Sequence, residues 1–198
     1  MNVKRTQAER TEATRGALMA AARELFAERG YAGVSTEEIV QRADVTRGAL
    51  YHHFRGKDDL FRAVFEQIER ELAEKIAAVA LEGGGDAYEA LRAGGQLFLD
   101  LCGERDIQRI ALLDAPAVLG WEEWREIDAR YGLGLIEAGL AQAMESGALP
   151  RQPVKPLAHM LLGALTEAAM LIATAEEPAV VRAQVGESVD RLLEGLRR

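Results

Sequence analysis

The sequence predicts an all-α protein, with a three-helix N-terminal head of the helix-turn-helix type followed by a helical body, about nine helices in total. Two observations support this prediction. Apolar residues recur at helical spacing along most of the chain, and no run of β-branched and aromatic residues alternates with polar ones for more than three or four positions. The 198 residues, 48% of them hydrophobic, are enough for a sizeable core.

The three helices of the head are bounded by capping and breaking residues. The first is predicted over residues 12–29 and is closed by Gly30. The second begins with a hydroxyl N-cap at Ser35 or Thr36 and ends at Asp44, and the third covers residues 47–54. Helices of about 18, 8 and 8 residues with a short link between the last two match the helix-turn-helix plan.

A long helix from Lys57 joins the head to the body. Its apolar stripe continues until the triplet Gly83-Gly84-Gly85, and at ~1.5 Å per residue it can cross a whole domain. Further helices are predicted over residues 88–101, 106–113, 118–145, 156–173 and 178–196. We therefore predict two domains, residues 1–56 and 57–198.

The third helix has two different faces. On a helical wheel Leu50 and Phe54 mark the core side, and the opposite side carries Tyr51, Gly48 and His52. Arg47 lies at the N-terminal boundary and His53 points away from the outer face. Residues 1–57 carry ten Lys/Arg and seven Asp/Glu, in a chain whose net charge is -8. The excess of basic residues in the head of an otherwise acidic chain indicates that the head binds an anionic partner.

The run LFAERGYAGVSTEEIVQRADVTRGALYHHFRGKDDLF, within residues 15–61, resembles the DNA-binding domain of the TetR family of transcriptional repressors. The resemblance implies a head that binds DNA and a body that binds an effector and dimerises. By position it implies operator contacts from Thr36, Thr46, Arg47, Gly48, Tyr51, His52 and Lys57. The chain departs from the pattern at His53, where many relatives have a second aromatic residue, and no DNA contact is expected there.

The resemblance also implies an effector pocket among the middle helices. Both tryptophans, a tyrosine and a carboxylate share one face of the helix from residue 118, although core packing explains single aromatics as well. The predicted wall consists of Phe98, Leu101, Leu113, Trp121, Trp124, Tyr131, His159 and Met160. The predicted polar anchors are Asp114, Asp128 or Arg109. We expect a small, largely apolar effector.

The last two predicted helices carry apolar stripes suited to pairing with a second copy as a four-helix interface. The interface residues are predicted to be Leu161, Leu165, Ala168, Leu171, Val181, Val185, Val189, Leu192 and Leu196. Residues 157–175 are also nearly long enough to span a membrane, but they contain His159 and Glu167, so we predict no span.

The predicted function is that of a homodimeric repressor that binds a palindromic DNA operator and is released by its effector. No catalytic motif, metal-ligand spacing or cofactor motif is present, so we expect no enzyme activity, metal or cofactor. A small helical enzyme and a helical protein-interaction module without DNA binding remain the alternatives. The polar N-terminus and the single cysteine, Cys102, favour the cytoplasm.

Overall fold

The computed structural model describes residues 6–82 and 86–197, and throughout these residues the regular structure is helical. The all-α prediction is confirmed. The helices are α1 (Gln7–Arg29), α2 (Thr36–Arg42), α3 (Arg47–His53), α4 (Lys57–Glu82), α5 (Ala87–Leu101), a π-helical segment (Ile107–Asp114), α6 (Ala115–Leu119), α7 (Trp121–Glu145), α8 (Val154–Thr174) and α9 (Pro178–Gly195). The glycine triplet expected to end α4 lies outside the described residues.

Helix α1 begins five residues earlier than the apolar periodicity predicts. The Thr6 hydroxyl accepts the N–H of Glu9, and the Glu9 carboxylate accepts the N–H of Thr6, which forms a complete capping box. A second capping box joins Ser35 and Glu38, so Ser35 rather than Thr36 is the N-cap of α2.

The prediction of one helix over residues 118–145 is wrong at its start, because the structure divides this range at Gly120. Gly120 has a φ of +82°, which ends α6 and lets α7 begin at Trp121. The segment before α6 was expected to be an ordinary helix, but it has π-helical hydrogen bonding over Ile107–Asp114. Both differences lie at the part of the body that contacts the head.

An aromatic cluster joins α1 to the first turn of α4. The rings of Phe26 and Phe61 meet edge to face with centroids 5.2 Å apart, and Tyr31 meets Phe61 in the same way at 5.2 Å. Phe26 and Phe61 are completely buried. The beginning of α4 is therefore part of the core of the head.

The hydrophobic core is continuous between the head and the body. One cluster of buried residues includes Leu18 and Ile39 of the head, Phe65 of α4, and Trp124 and Ile127 of α7. A second cluster fills the space among α5, α7, α8 and α9. The division at residues 56 and 57 remains a proposal based on sequence, since the packing itself runs across it.

Polar contacts fix α9 against α5. Gln96 donates to the carbonyl of Gly186 and to Asp190 at 2.9 Å each, and Arg92 donates to Asp190 at 3.1 Å.

Within the described residues, α8 is the one helix long and apolar enough to cross a membrane, with a mean hydropathy of 1.5. Only 33% of the most apolar 18-residue stretch of α8 is buried inside the protein.

Candidate functional site

The third helix is fixed by a turn and a cap. Asp44 has a φ of +53° in the link from α2, a conformation that a short carboxylate side chain tolerates. The Thr46 hydroxyl accepts the N–H of Ala49 at 3.2 Å and caps α3. Leu50 and Phe54 are 0% and 4% exposed, so they hold α3 against the head as the wheel predicted.

The opposite face of α3 is open to solvent. Arg47, Gly48 and His52 are exposed, and Tyr51 is 48% exposed. The Arg47 guanidinium lies 5.6 Å from the centre of the Tyr51 ring. A Cβ on Gly48 would meet only Thr46 Oγ1, at 3.8 Å, so no packing within the protein requires a glycine there. The surface formed by these four residues is called the α3 face below.

The two histidines of α3 differ in environment. His53 is partly buried and its ring lies next to those of Phe54 and His52, whereas His52 is exposed. Burial, and then the neighbouring charges of His52 and Arg15, lower the pKa of His53 below its ordinary value. These contacts agree with leaving His53 out of the α3 face.

Lys57, expected to contact phosphate, is held within the head. Its ammonium donates to the carbonyls of Tyr31 at 3.0 Å and Val34 at 2.9 Å, and lies 3.9 Å from the centre of the Tyr31 ring. Lysine has three donors, so one remains for another acceptor. Thr36, the first residue of α2, is partly buried and is not the helix cap.

The body encloses a cavity of ≈340 Å³ between α4, α5, α7, α8 and α9. Its lining is apolar except for four residues, Glu69, Asp86, Asp128 and Gln142. Four glycines, Gly94, Gly95, Gly132 and Gly139, form part of its wall and keep space free where these helices meet. A cavity of this size and lining is typical of sites for small organic molecules.

Two carboxylates share one region of the cavity wall. Asp128 is 8% exposed and accepts from Arg125 Nη1 at 2.5 Å, yet its burial still raises its pKa. Burial, and next the negative charge of Asp128, raise the pKa of Glu69 to about 8. The Cys102 thiol is buried nearby, and burial raises its pKa too, so it is unreactive.

Two of the eleven residues predicted for the effector pocket, Phe98 and Asp128, line this cavity. Trp124 is instead buried in the core that joins head and body, where its indole N–H donates to the carbonyl of Ala111 at 3.1 Å. Leu101 is buried and Tyr131 is packed in the same core. The remaining apolar and aromatic candidates are exposed, namely Leu113, Trp121, His159 and Met160.

The other two candidates, Arg109 and Asp114, contact the head. The Asp114 carboxylate accepts the backbone N–H of Tyr31 at 2.6 Å and lies 3.4 Å from Arg109 Nε. Arg23 of α1 adds hydrogen bonds to Asp106 at 2.8 Å and to Glu71 of α4 at 2.6 Å. The π-helical segment therefore carries the contact between the body and the end of α1.

Replacing Gly30 by alanine should lower the free energy of unfolding by about 1–3 kcal/mol. Gly30 has a φ of +73°, and a Cβ there would overlap the Arg109 guanidinium. The control is Gly16→Ala in α1, where a Cβ meets nothing within 4 Å and should stabilise the helix slightly. Urea unfolding of both variants measures the effect, and equal stabilities would contradict the close approach of Arg109 to Gly30.

The residues predicted for the dimer interface are divided between the interior and the surface. Three of them, Leu161, Leu165 and Val189, line the cavity, and Ala168 is buried. Val181, Val185 and Leu196 pack partly buried against the core of the body. Leu171 and Leu192 are 48% and 55% exposed.

Two further exposed apolar residues of α8 and α9 were not predicted for the interface. Met160 is 70% exposed and Val180 is 48% exposed. Together with Leu171 and Leu192 they form what is called the α8–α9 surface below. These four are the large apolar residues of α8 and α9 that are exposed.

Glu69 was missed by the sequence analysis, although a signal for it was present. It lies four residues after Phe65 and three before Leu72, on the buried stripe of α4, where a charged residue is unusual. The wall glycines were visible in the sequence too, but their role depends on which helices meet.

Within the described residues no group of His, Cys, Asp and Glu is arranged to hold a metal ion.

Comparisons with known proteins agree with this geometry. Residues 18–64 match the family described as "Bacterial regulatory proteins, tetR family", and residues 88–196 match "Tetracyclin repressor-like, C-terminal domain". The first match contains α2, α3 and the start of α4, and the second contains four of the five cavity helices. The second match alone covers more than half of the chain.

Relatives are found both by sequence and by structure. The chain is 30% identical to the transposon Tn10 TetC protein of Escherichia coli over 167 residues, 82% of either chain. It is 43% identical to the HTH-type transcriptional regulator CymR of Pseudomonas putida over 75 residues, 38% of this chain and 37% of that one. A crystal structure of a TetR-family transcriptional regulator from Pectobacterium atrosepticum superposes with a TM-score of 0.85, at 37% identity and 98% coverage of both chains.

Proposed function

The chain belongs to the TetR family of DNA-binding transcription regulators, and from this premise we propose that it is a ligand-responsive repressor. It binds a palindromic operator as a dimer through the α3 face, and a small effector in the body cavity releases it. The observation that carries the proposal is the open α3 face, where Arg47, Tyr51 and His52 are exposed to solvent. The cytoplasm, where DNA is accessible, is its proposed location.

The chemistry of the α3 face suits the major groove of DNA. Arginine can form a bidentate pair with guanine or bind phosphate, and a tyrosine ring can contact a thymine methyl group or a phosphate. Gly48 allows the backbone of α3 to approach closely, and His52 can donate to a base or a phosphate. Thr36, Thr46 and the remaining donor of Lys57 are proposed as phosphate contacts at the edge of this face.

Dimerisation is proposed through the α8–α9 surface. Only 33% of the most apolar stretch of α8 is buried inside the protein. A second copy of the chain could cover this stretch, because a two-fold interface brings the same surface of both copies together. A two-fold dimer places its two α3 helices in successive major grooves, about 34–36 Å apart on the duplex. This spacing is why a palindromic operator is proposed.

The effector is proposed to bind in the body cavity and to act on the head through α4. This helix contacts both sites, since its first turn packs in the head core at Phe61 and its later turns line the cavity from Glu69 to Ala77. A ligand that binds better to the conformation with separated heads shifts the population away from the DNA-competent one. The π-helical segment gives the body a second contact with the head, because Asp114 accepts the backbone N–H of Tyr31, two residues after α1.

Binding to the DNA upstream of the gene tests the proposal. Fluorescence anisotropy of labelled upstream fragments should reveal a complex whose affinity falls steeply with salt concentration, because phosphate contacts release counterions. An unrelated fragment of the same length measures non-specific binding. Equal affinity for the two fragments, or an affinity independent of salt, would overturn the assignment of DNA binding to this chain.

Replacing Arg47 by alanine should weaken operator binding by about 1–3 kcal/mol without changing thermal stability. The side chain is exposed, and its closest aromatic neighbour is Tyr51 on the same face. The control is Arg191→Ala on α9, which removes another exposed arginine, far from α3 in the chain. Titration of the same fragment measures both variants, and a loss of stability in Arg47→Ala would mean that this residue belongs to the core.

A further inference from the structure

The polar residues in the cavity wall are acidic or neutral. Of the four, Glu69, Asp86 and Asp128 are carboxylates and Gln142 is an amide, and the described lining contains no lysine, arginine or histidine. An anionic ligand would find no opposite charge in this wall. A buried charge is costly unless it is paired, so the wall disfavours anions and favours ligands that bring a positive charge.

Two of the three carboxylates already have partners. Asp86 caps α5, accepting the N–H groups of Tyr88 at 3.0 Å and Glu89 at 3.3 Å. Asp128 accepts from Arg125 at 2.5 Å. Among the described residues Glu69 has neither a hydrogen bond nor a salt bridge, and its side-chain oxygens are not completely buried. Its oxygens are therefore available to a ligand.

The environment of Glu69 contains little that could compensate its charge. The ionisable groups near it are Asp128, with its partner Arg125, and the neutral thiol of Cys102. The described cavity residues of α5, α8 and α9 around it are apolar or glycine, apart from Asp86 and its capping role. With a pKa of about 8, the carboxyl of Glu69 is about nine-tenths protonated at pH 7.

We propose that the effector is an apolar organic cation, such as a hydrophobic amine, whose positive charge pairs with Glu69 while its hydrocarbon part fills the remaining cavity. This inference rests on the proposed function, because it names the ligand class of the same cavity. The hydrocarbon part lies against side chains such as Ile76, Leu135 and Leu165. A neutral apolar molecule could fill the same space, but it would leave the carboxyl of Glu69 without a partner.

The proposal predicts a proton linkage of definite sign. The cation binds the ionised carboxylate, so below pH 8 the site must release a proton before the ion pair forms. The affinity for a permanently charged ligand should therefore rise about tenfold per pH unit from pH 6 to about pH 8, and level off above it. At pH 7 close to one proton should leave for each cation bound.

The test compares a series of phenylalkylamines, from 2-phenylethylamine to 6-phenylhexylamine, with the phenylalkanols of the same chain lengths. The protein, residues 1–198, is titrated by calorimetry in two buffers of different ionisation enthalpy, which measures affinity and proton release together. Alkylamines stay charged in this range, since their pKa is about 10. The amines should bind more tightly than the alcohols, with the proton release given above.

Glu69→Gln keeps the shape of the side chain and removes its charge. It should weaken amine binding by about 10- to 100-fold, leave alcohol binding within about threefold, and abolish the proton release. The control is Glu66→Gln, one turn earlier on α4, where the carboxylate meets Arg130 outside the cavity. This variant should behave like the wild type.

Several results would overturn the inference. They are alcohols that bind as tightly as the amines, unchanged amine binding in Glu69→Gln, and no binding by any amine of the series. Operator release is measured separately with the same amines and alcohols. If an amine binds through Glu69 but the operator complex persists, the cation site stands and the proposed release mechanism fails. If the operator is released only by the alcohols, the repressor function stands and the cation inference fails.

Discussion

The double variant Leu171→Glu/Leu192→Glu should be monomeric and should bind the operator at least about 100-fold more weakly than the wild type. Both leucines are half-exposed on the α8–α9 surface, and in a two-fold interface each substitution occurs twice. Burying one leucine contributes about 1.5–3 kcal/mol, and the glutamates add repulsion between like charges. Analytical ultracentrifugation measures the mass, and fluorescence anisotropy measures the operator affinity.

Trp121→Glu is the matched control for that variant. It places the same charge on another exposed apolar residue, 68% exposed at the start of α7, a different helix from the two that form the α8–α9 surface. We expect it to remain dimeric and to bind DNA normally. A double variant that stays dimeric would contradict the proposed interface, whereas a dissociated variant with full operator affinity would contradict binding by a dimer.

Phe61→Ala should lower the free energy of unfolding by about 3–5 kcal/mol. Phe61 is completely buried in the first turn of α4 and meets both Phe26 and Tyr31 edge to face. Its removal leaves a cavity where α4 is fastened to the head, and close packing lets the surroundings collapse only in part. Urea unfolding followed by circular dichroism measures the loss.

The adjacent residue provides the control for Phe61. Arg62 is exposed and pairs with Glu123 of α7 at 2.7 Å, so Arg62→Ala should cost no more than about 1 kcal/mol. If the two variants were equally stable, the head core would not be what holds α4 in place. The link from cavity to head through α4 would then lose its basis.

The head could be predicted from the sequence because its determinants are local. The apolar positions of α1 and α3 repeat at helical spacing, and Gly30 and Thr46 cap helices with their own conformation or side chain. The outward orientation of Tyr51 follows from the positions of Leu50 and Phe54 on the same short helix. The sequence left the N-cap of α2 open between Ser35 and Thr36 because two adjacent hydroxyls offer the same chemistry, and the side-chain contact with Glu38 selects Ser35.

Most of the cavity wall could not be predicted, because it depends on empty space among five helices, and Phe98 and Asp128 are the two predicted residues that line it. Both tryptophans suggested a pocket wall, but the indole N–H of Trp124 finds the carbonyl of Ala111, and Trp121 remains exposed. Arg109 and Asp114 were read as ligand anchors, whereas the π-helical segment directs them toward Gly30 and Tyr31. Such contacts depend on how distant segments pack, which the spacing of residues within one helix does not encode.

The central claim is that two α3 helices of one dimer bind two half-sites of an operator. Hydroxyl-radical footprinting on the upstream fragment that the protein retains tests it most directly. Binding of this kind should give two protected windows with centres about 10–10.5 base pairs apart, related by a two-fold axis in the DNA sequence. A single protected window, or uniform protection along the fragment, would contradict it.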